Sequence, residues 1–275
     1  MGQSIEVQPL TPTIGAEVSG IDLGDLDDEA FVALRRAFHD HQVLFFRDQD
    51  ISIEQHKAFG RRLGELHVHP GVARHGVPDH PEILVIHADD KTTRTAGDSW
   101  HSDVSCEPAP PMASILKLHV VPETGGDTLF SSMYAAYEAL SAAMKRYLDG
   151  MTATHDGGPN YRDRAARSGG DDPARAYPNA SHPIVRTHPE TRRKALFVNQ
   201  AFTTHIDGVA KDESDAVLRY LYAHIAKPQF QCRFRWRPNS VAMWDNRCTQ
   251  HHAMWDYYPQ TRSGYRVTVC GDQPY

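Results

Sequence analysis

The residues of this chain best suited to chemistry are histidines followed two positions later by an aspartate. Three such pairs occur: His87 with Asp89, His101 with Asp103, and His205 with Asp207. On an extended strand alternate residues share a face, so both side chains of a pair can reach one ion. A distant histidine would complete a set of two imidazoles and one carboxylate. That set holds Fe(II) from one side and leaves positions free for a co-substrate and oxygen. Taken singly, a His-x-Asp pair is more often a surface or turn pair, so context has to choose among the three.

Context comes from the run Trp244-Asp245-Asn246-Arg247-Cys248-Thr249-Gln250-His251, followed by Tyr258-Pro259-Gln260-Thr261-Arg262 and Tyr265-Arg266. His251 is a candidate third ligand. His252 beside it is an equal candidate, because adjacent strand residues point to opposite faces. Arg262 and Arg266 are four apart and share one face of a strand. Two guanidiniums looking into a cleft can each grip a carboxylate or sulfonate through paired hydrogen bonds. Arginines in isolation more often make surface salt bridges; a metal site beside them shifts the balance.

The elements that must position these groups read as follows. Ile5–Pro9, Glu17–Ile21, Val43–Phe46, Ile83–Ile86 and Met112–Val121 are expected strands, with a turn at Glu123–Asp127. Asp27–His39 places Phe31, Leu34 and Phe38 on one helical face. Ser52-Ile53-Glu54-Gln55 is a capping-box pattern that predicts a helix to about Leu63. Met133–Leu140, Ala142–Leu148 and Glu213–Ile225 are expected helices. Ile184–Thr187 and Ala195–Asn199 resemble paired strands, and Gln229–Trp236, Ser240–Trp244 and Tyr265–Cys270 complete a strand-rich half. The stretch from about Asp156 to Ser181 shows no clear periodicity. A loop that long in a compact domain is either a functional lid or a solvated segment, and both readings stay open. Many short strands punctuated by turns predict a mainly β sandwich or barrel with flanking helices.

Composition narrows the function class. The 275 residues contain 29 Lys+Arg against 35 Asp+Glu, a net charge of -6, which gives no basic excess for nucleic acid. Any anionic ligand must therefore be drawn in by local arginine or histidine. No apolar run approaches a bilayer span, so no membrane association is expected. Cys106, Cys232, Cys248 and Cys270 are scattered, which argues against a cysteine zinc site or a disulfide frame. The opening Met1-Gly2-Gln3-Ser4-Ile5-Glu6 carries no export signal, so the cytoplasm is the expected compartment.

Across nearly the whole chain the sequence resembles the taurine dioxygenase/TfdA family of Fe(II)/2-oxoglutarate enzymes. The likeness lies in Pro9-Leu10, Ile14-Gly15-Ala16, His41-Gln42-Val43 and Phe46-Arg47-Asp48-Gln49. It continues in Trp100-His101-Ser102-Asp103, Gly125-Gly126-Asp127-Thr128-Leu129-Phe130, Phe197-Val198-Asn199, Phe202-Thr203-Thr204 and Gly271-Asp272. The resemblance implies a single domain over residues 1–275 with a double-stranded β-helix (jelly roll) fold, in a homo-oligomer, dimer or tetramer. It selects His101, Asp103 and His251 as iron ligands, and rejects His252 and the other two pairs. It implies 2-oxoglutarate and O2 as co-substrates, with Arg262 and Thr128 on the distal carboxylate of 2-oxoglutarate. On the substrate it implies His69, within His67-Val68-His69-Pro70, and Arg266 at the acidic head, with Val104 and Phe202 lining the pocket.

The end of the pocket that would hold taurine's amine departs from the family pattern. Ala96 and Gly97, Val72, and Gly157-Gly158 stand where taurine-binding members carry polar or aromatic residues. A buried ammonium without partners is costly, and smaller side chains are expected to open space. The expected substrate is therefore a small organic anion without that amine: an alkyl or aryl sulfonate, a sulfate ester or an aryloxy carboxylate. Taurine itself is the alternative. From other classes, a non-catalytic anion-binding jelly roll and a zinc hydrolase built on the same ligands are rivals; the retained ligands and co-substrate positions argue against the first, and Arg262 and Thr128 have no role in the second.

Overall fold

A computed structural model describes residues 4–69, 76–93, 95, 97–167 and 176–275, without the side chains of 163–167. Pro70, Val72 and Ala96 fall outside these residues, as does the middle of the 156–181 stretch.

Apolar runs with buried faces make the centre of a large sheet. Strand β3 (Val43–Phe46) pairs with β15 (Ser240–Asp245), which pairs with β7 (Ala113–Val120), which in turn pairs with β17 (Arg262–Val269). On one flank lie β2 (Ala16–Ser19) and β1 (Glu6–Pro9); on the other lie β6 (His80–Ala88) and β5 (Gly76–Val77), with β4 (Leu66–His67) also against β17. A smaller sheet has β8 (Thr128–Ser132) between β14 (Gln231–Phe234) and β16 (Thr249–Ala253). The two sheets share a core: Val43, Phe45, Leu116, Ala242 and Trp244 from the large one meet Phe130, Cys232 and Phe234 from the small one. Phe45 stacks on Phe234 at a ring separation of 4.0 Å. This sandwich is the expected jelly roll.

Two helices cover the far face of the large sheet. Helix α1 (Asp28–His41) is capped by Asp27, whose carboxylate accepts from the Ala30 N–H. Helix α2 (Ile53–Leu63) opens with the predicted capping box, in which Ser52 and Gln55 each accept from the other's backbone N–H. Leu34, Phe38 and Phe59 from these helices pack on Leu44, Phe46, Ile115 and Met243. A third cluster joins α3 (Met133–Glu138), α4 (Ala142–Leu148) and α6 (Lys211–Ile225) to β9 (Thr152–Asp156), β11 (Val185–Thr187), β12 (Lys194–Leu196) and β13 (Thr203–Ile206). Among the described residues no helix is long and apolar enough to cross a membrane.

Part of the stretch read as irregular is regular. Helix α5 spans Gly158–Arg167, and β10 (Asn179–Pro183) pairs with β9. The Gly157-Gly158-Pro159 start looks like a chain breaker, but proline is tolerated in the first turn of a helix, where its missing N–H has no partner to lose.

His56 on α2 ties that helix to the sheet through a 3.1 Å contact between Nε2 and the Ile115 carbonyl. Burial, with the nearby Lys117 charge, pushes its pKa from 6.5 down to about 4, although the hydrogen bond to Ile115 opposes this. Between those two values the unfolded chain binds a proton that the folded chain refuses. The stability this group protects is therefore full above pH 6.5 and is lost as the pH falls toward 4. We predict a loss of about 3 kcal/mol over that window, read as a falling urea midpoint. His56→Gln should flatten the slope.

Candidate active site

Strand β16 lies along β8, with His251 opposite Phe130. His101 meets His251 in a single antiparallel bridge, with N···O distances of 3.1 and 2.9 Å. After that one bridge the chain turns, so His101 and Asp103 are not on a strand and alternation is not what brings them together. The turn does it instead. Ser102 Oγ donates to the Asn246 carbonyl at 2.6 Å, and the Asp103 N–H reaches Asn246 Oδ1 at 3.4 Å. Ser114 on β7 then donates to Asp103 Oδ2 at 2.7 Å while accepting from Asn246 Nδ2 at 3.0 Å. One ligand atom from each of His101, Asp103 and His251 lies within 4.8 Å of the others, and all three residues are buried.

The donor set fits a divalent metal. His101 Nδ1 is 2.8 Å from the Ser99 carbonyl; as an N–H donor there, it leaves the Nε2 lone pair to face Asp103 Oδ1 at 3.9 Å. Burial pushes both imidazoles down in pKa, which keeps them neutral and able to ligate. Burial alone would push the Asp103 carboxyl up, but Arg266, with the two histidines and Ser114, overrides it and holds the group well below the usual carboxylate range. Arg266 Nη1 donates to Oδ1 at 2.7 Å. A guanidinium thus supplies positive charge on the carboxylate oxygen that faces His101. Two buried nitrogens here, His251 Nδ1 and Arg266 Nε, have no hydrogen-bond partner.

Arg262 lies four residues along β17 and is also buried. Its Nε donates to the Gly126 carbonyl at 3.1 Å, Nη2 is 3.5 Å from Thr128 Oγ1, and the guanidinium lies over the Trp236 ring. No carboxylate pairs with it among the described residues; burial lowers its pKa to about 10, with only partial relief from Tyr257 and Asp127. Trp236, whose Nε1 donates to Thr128 Oγ1 at 3.0 Å, was missed from sequence because a tryptophan in a strand reads as core.

Of the residues expected to meet substrate, Val104 and Phe202 form a small buried cluster with Cys106, with Tyr161 and Ala201 packed against it. Val104 has a φ of +48°, a conformation that β-branched residues adopt only under constraint and that concentrates at functional sites. His69 is buried just past β4, near His67. Gly157 does not open the pocket as expected. A Cβ there would sit 2.7 Å from Tyr161, whose ring fills that space. Gly97 likewise packs on a ligand: a Cβ would come 3.1 Å from His101 Cε1.

The remaining candidates fall away. His87–Asp89 and His205–Asp207 are contacts at 3.5 and 3.7 Å between partly exposed side chains. His252 turns outward to Asp98 at 3.1 Å. A second cluster, His188, Asp245 and Cys248, also has ligand atoms within 4.8 Å. Its carboxylate is already committed, however. Asp245 accepts from Arg247 through both oxygens at 2.9 and 2.7 Å, and pairs with His188 at 3.0 Å. Burial pushes the Cys248 thiol well up, so this is an ion-pair network holding the β15–β16 turn.

The family model for the taurine catabolism dioxygenase TauD, TfdA family, matches residues 6–268. The chain belongs to the TauD/TfdA family. Among relatives of this TauD/TfdA protein, one from Schizosaccharomyces pombe, assigned provisionally as an alpha-ketoglutarate-dependent sulfonate dioxygenase, is 39% identical over 98% of this chain and 70% of its own. The alpha-ketoglutarate-dependent sulfate ester dioxygenase of Pseudomonas putida is 34% identical over 98% and 91%. A solved structure described as a taurine dioxygenase from Burkholderia xenovorans superposes with a TM-score of 0.84 at 37% identity, covering 98% of this chain and 92% of that one.

Gly97 of this TauD/TfdA chain has a φ of +85° as well as the close approach to His101. Gly97→Ala is expected to cost about 1 kcal/mol or more, measured by urea denaturation of the metal-free protein.

Proposed function

We propose that the protein is an Fe(II)- and 2-oxoglutarate-dependent dioxygenase that hydroxylates a small organic anion: an alkyl or aryl sulfonate, a sulfate ester or an aryloxy carboxylate. In this reading His101, Asp103 and His251 hold the iron, Arg262 and Thr128 bind the distal carboxylate of 2-oxoglutarate, and His69, Arg266, Val104 and Phe202 receive the substrate. The observation that carries it is Arg262, a buried guanidinium with no carboxylate partner among the described residues, on the same strand as an arginine bound to the carboxylate of a two-histidine cluster. A buried cation of this kind calls for an anion from outside.

Iron held there would supply oxygen activation coupled to decarboxylation of 2-oxoglutarate to succinate and CO2. The chain's own residues do the rest. Ser114 and Asn246 fix the Asp103 carboxylate, and Ser99 fixes the His101 ring, so the ligands are set before anything binds. Trp236 and Thr128 orient Arg262, whose remaining N–H groups suit a carboxylate fork. Arg266 steadies Asp103 and still has an unpaired Nε for an acid head. The cluster of Val104, Cys106 and Phe202 gives the organic part a largely apolar wall that would strand a taurine ammonium. Hydroxylation at a carbon bearing a sulfonate, or an ester or ether oxygen, gives a product that fragments to a carbonyl compound and a released anion. Helix α5 is the described part of what we propose as a cover over this end, and a cytoplasmic homo-oligomer, dimer or tetramer, belongs to the same proposal by family likeness.

Succinate release across sulfonates, sulfate esters, aryloxy acids and taurine tests the assignment; the highest kcat/KM for taurine would defeat the substrate reading. Co(II) is expected to raise the Tm of the wild type but not of Asp103→Ala, which should also be inactive. Arg262→Ala should raise the KM for 2-oxoglutarate about 30-fold or more, and Arg266→Ala should do so chiefly for the prime substrate. Both variants weakening one ligand alone would refute the division of labour.

A further inference from the structure

We propose that Tyr161 is a substrate-binding residue, whose phenol donates a hydrogen bond to the acid head of the anion beside Arg266. The inference rests on the functional reading above and adds to it a specificity contact that the sequence did not reveal.

Three observations converge on Tyr161. First, its hydroxyl is buried and, among the described residues, has no nitrogen or oxygen partner; its side-chain contact of this kind is with the Cys106 thiol. A buried hydroxyl without a good partner is costly. The Cys106 thiol nearby is at best a weak acceptor. Second, the ring is held by design of the backbone around it. Tyr161 N–H donates to the Gly157 carbonyl at 2.9 Å, closing the first turn of α5, and a Cβ at Gly157 would stand 2.7 and 2.9 Å from two ring carbons. Only a residue without a side chain leaves room for the phenol there. The opposite side of the ring stacks near Tyr177 at 5.6 Å, and Phe202 lies 6.2 Å away. Third, the hydroxyl belongs to the reaction end of the pocket. Tyr161 packs against Val104 and Cys106, one and three residues past Asp103, and the charges of Asp103 and Arg266 both act on its hydroxyl.

A second buried donor in the same site is also unpartnered, Arg266 Nε. Two buried donors that both lie by the Asp103 turn, one of them on a guanidinium, are what an anion with three terminal oxygens, a sulfonate or sulfate, would satisfy together. Burial, with the Glu107 charge nearby, pushes the phenol's pKa up, so it remains a donor across the working pH range.

Tyr161→Phe removes the hydroxyl and keeps the ring over Gly157. The probe is hexyl sulfate, titrated calorimetrically into the full-length protein loaded with redox-inert Zn(II) and 2-oxoglutarate, with hexane-1-sulfonate as the second probe. The expected result is about tenfold or greater weakening for both anions, with 2-oxoglutarate affinity unchanged. The Tm of the free variant should be equal to or above that of the wild type, because an unsatisfied group has been removed. A purely structural hydroxyl would give the opposite pattern: a lower Tm and unchanged anion affinity. Equal affinities for both proteins overturn the role of Tyr161 while leaving the anion site standing. No binding of either anion to the wild type overturns this inference together with the substrate reading.

Discussion

The site is organised by one electrostatic constraint: a carboxylate buried between two sheets must be paired. Asp103 is almost fully buried and is held by a serine hydroxyl, a guanidinium and, at 3.9 Å, an imidazole. Removing one partner from such a group is strongly destabilising, because it leaves an uncompensated buried charge. Ser114 and Asn246 come from β7 and the end of β15, the middle of the large sheet. The geometry of the ligands is thus inherited from the best-packed strands in the molecule rather than from a loop.

The two arginines show how one strand serves two ligands. Along β17 the residues at 262 and 266 are buried on one face, while Val267 and Val269 beyond them are buried on the other. Arg262 reaches across to the small sheet, at Gly126 and Thr128, and Arg266 reaches the Asp103 turn. Residues four apart stand about 13 Å apart along a strand, which sends the two guanidiniums to different partners. The sandwich fold is what lets a single extended segment address both ends of a cleft.

Much of this was legible in the sequence, for identifiable reasons. The core strands at 43–46 and 240–245, the capping box at Ser52 and the amphipathic helices carry their own periodicity or caps, and these do not depend on function. Strand β16 was hidden because Thr249-Gln250-His251-His252 puts polar groups where an interior strand ordinarily carries apolar ones; function had overwritten the pattern. Strand alternation left His251 and His252 equal and the family resemblance chose His251; the fold supplies the physical reason, since His251 is the one that meets His101. The strand alternation invoked for His101 and Asp103 was the wrong physical reason, as a turn with Val104 at positive φ joins them. Gly157 was read as empty space, because sequence shows what a residue lacks and not what a neighbour one helical turn later places there.

Cys106 is buried with Val104 and Phe202, three residues past Asp103. Reactive oxygen species attack the thiolate form of cysteine far more readily than the thiol. Burial, with the Glu107 charge beside it, pushes this thiol up to about 12, so almost none of it is ionised near neutrality. The same dry packing that joins Cys106 to Val104 and Phe202 therefore passivates its sulfur, and the chain can keep a small apolar side chain there without making it a sacrificial target.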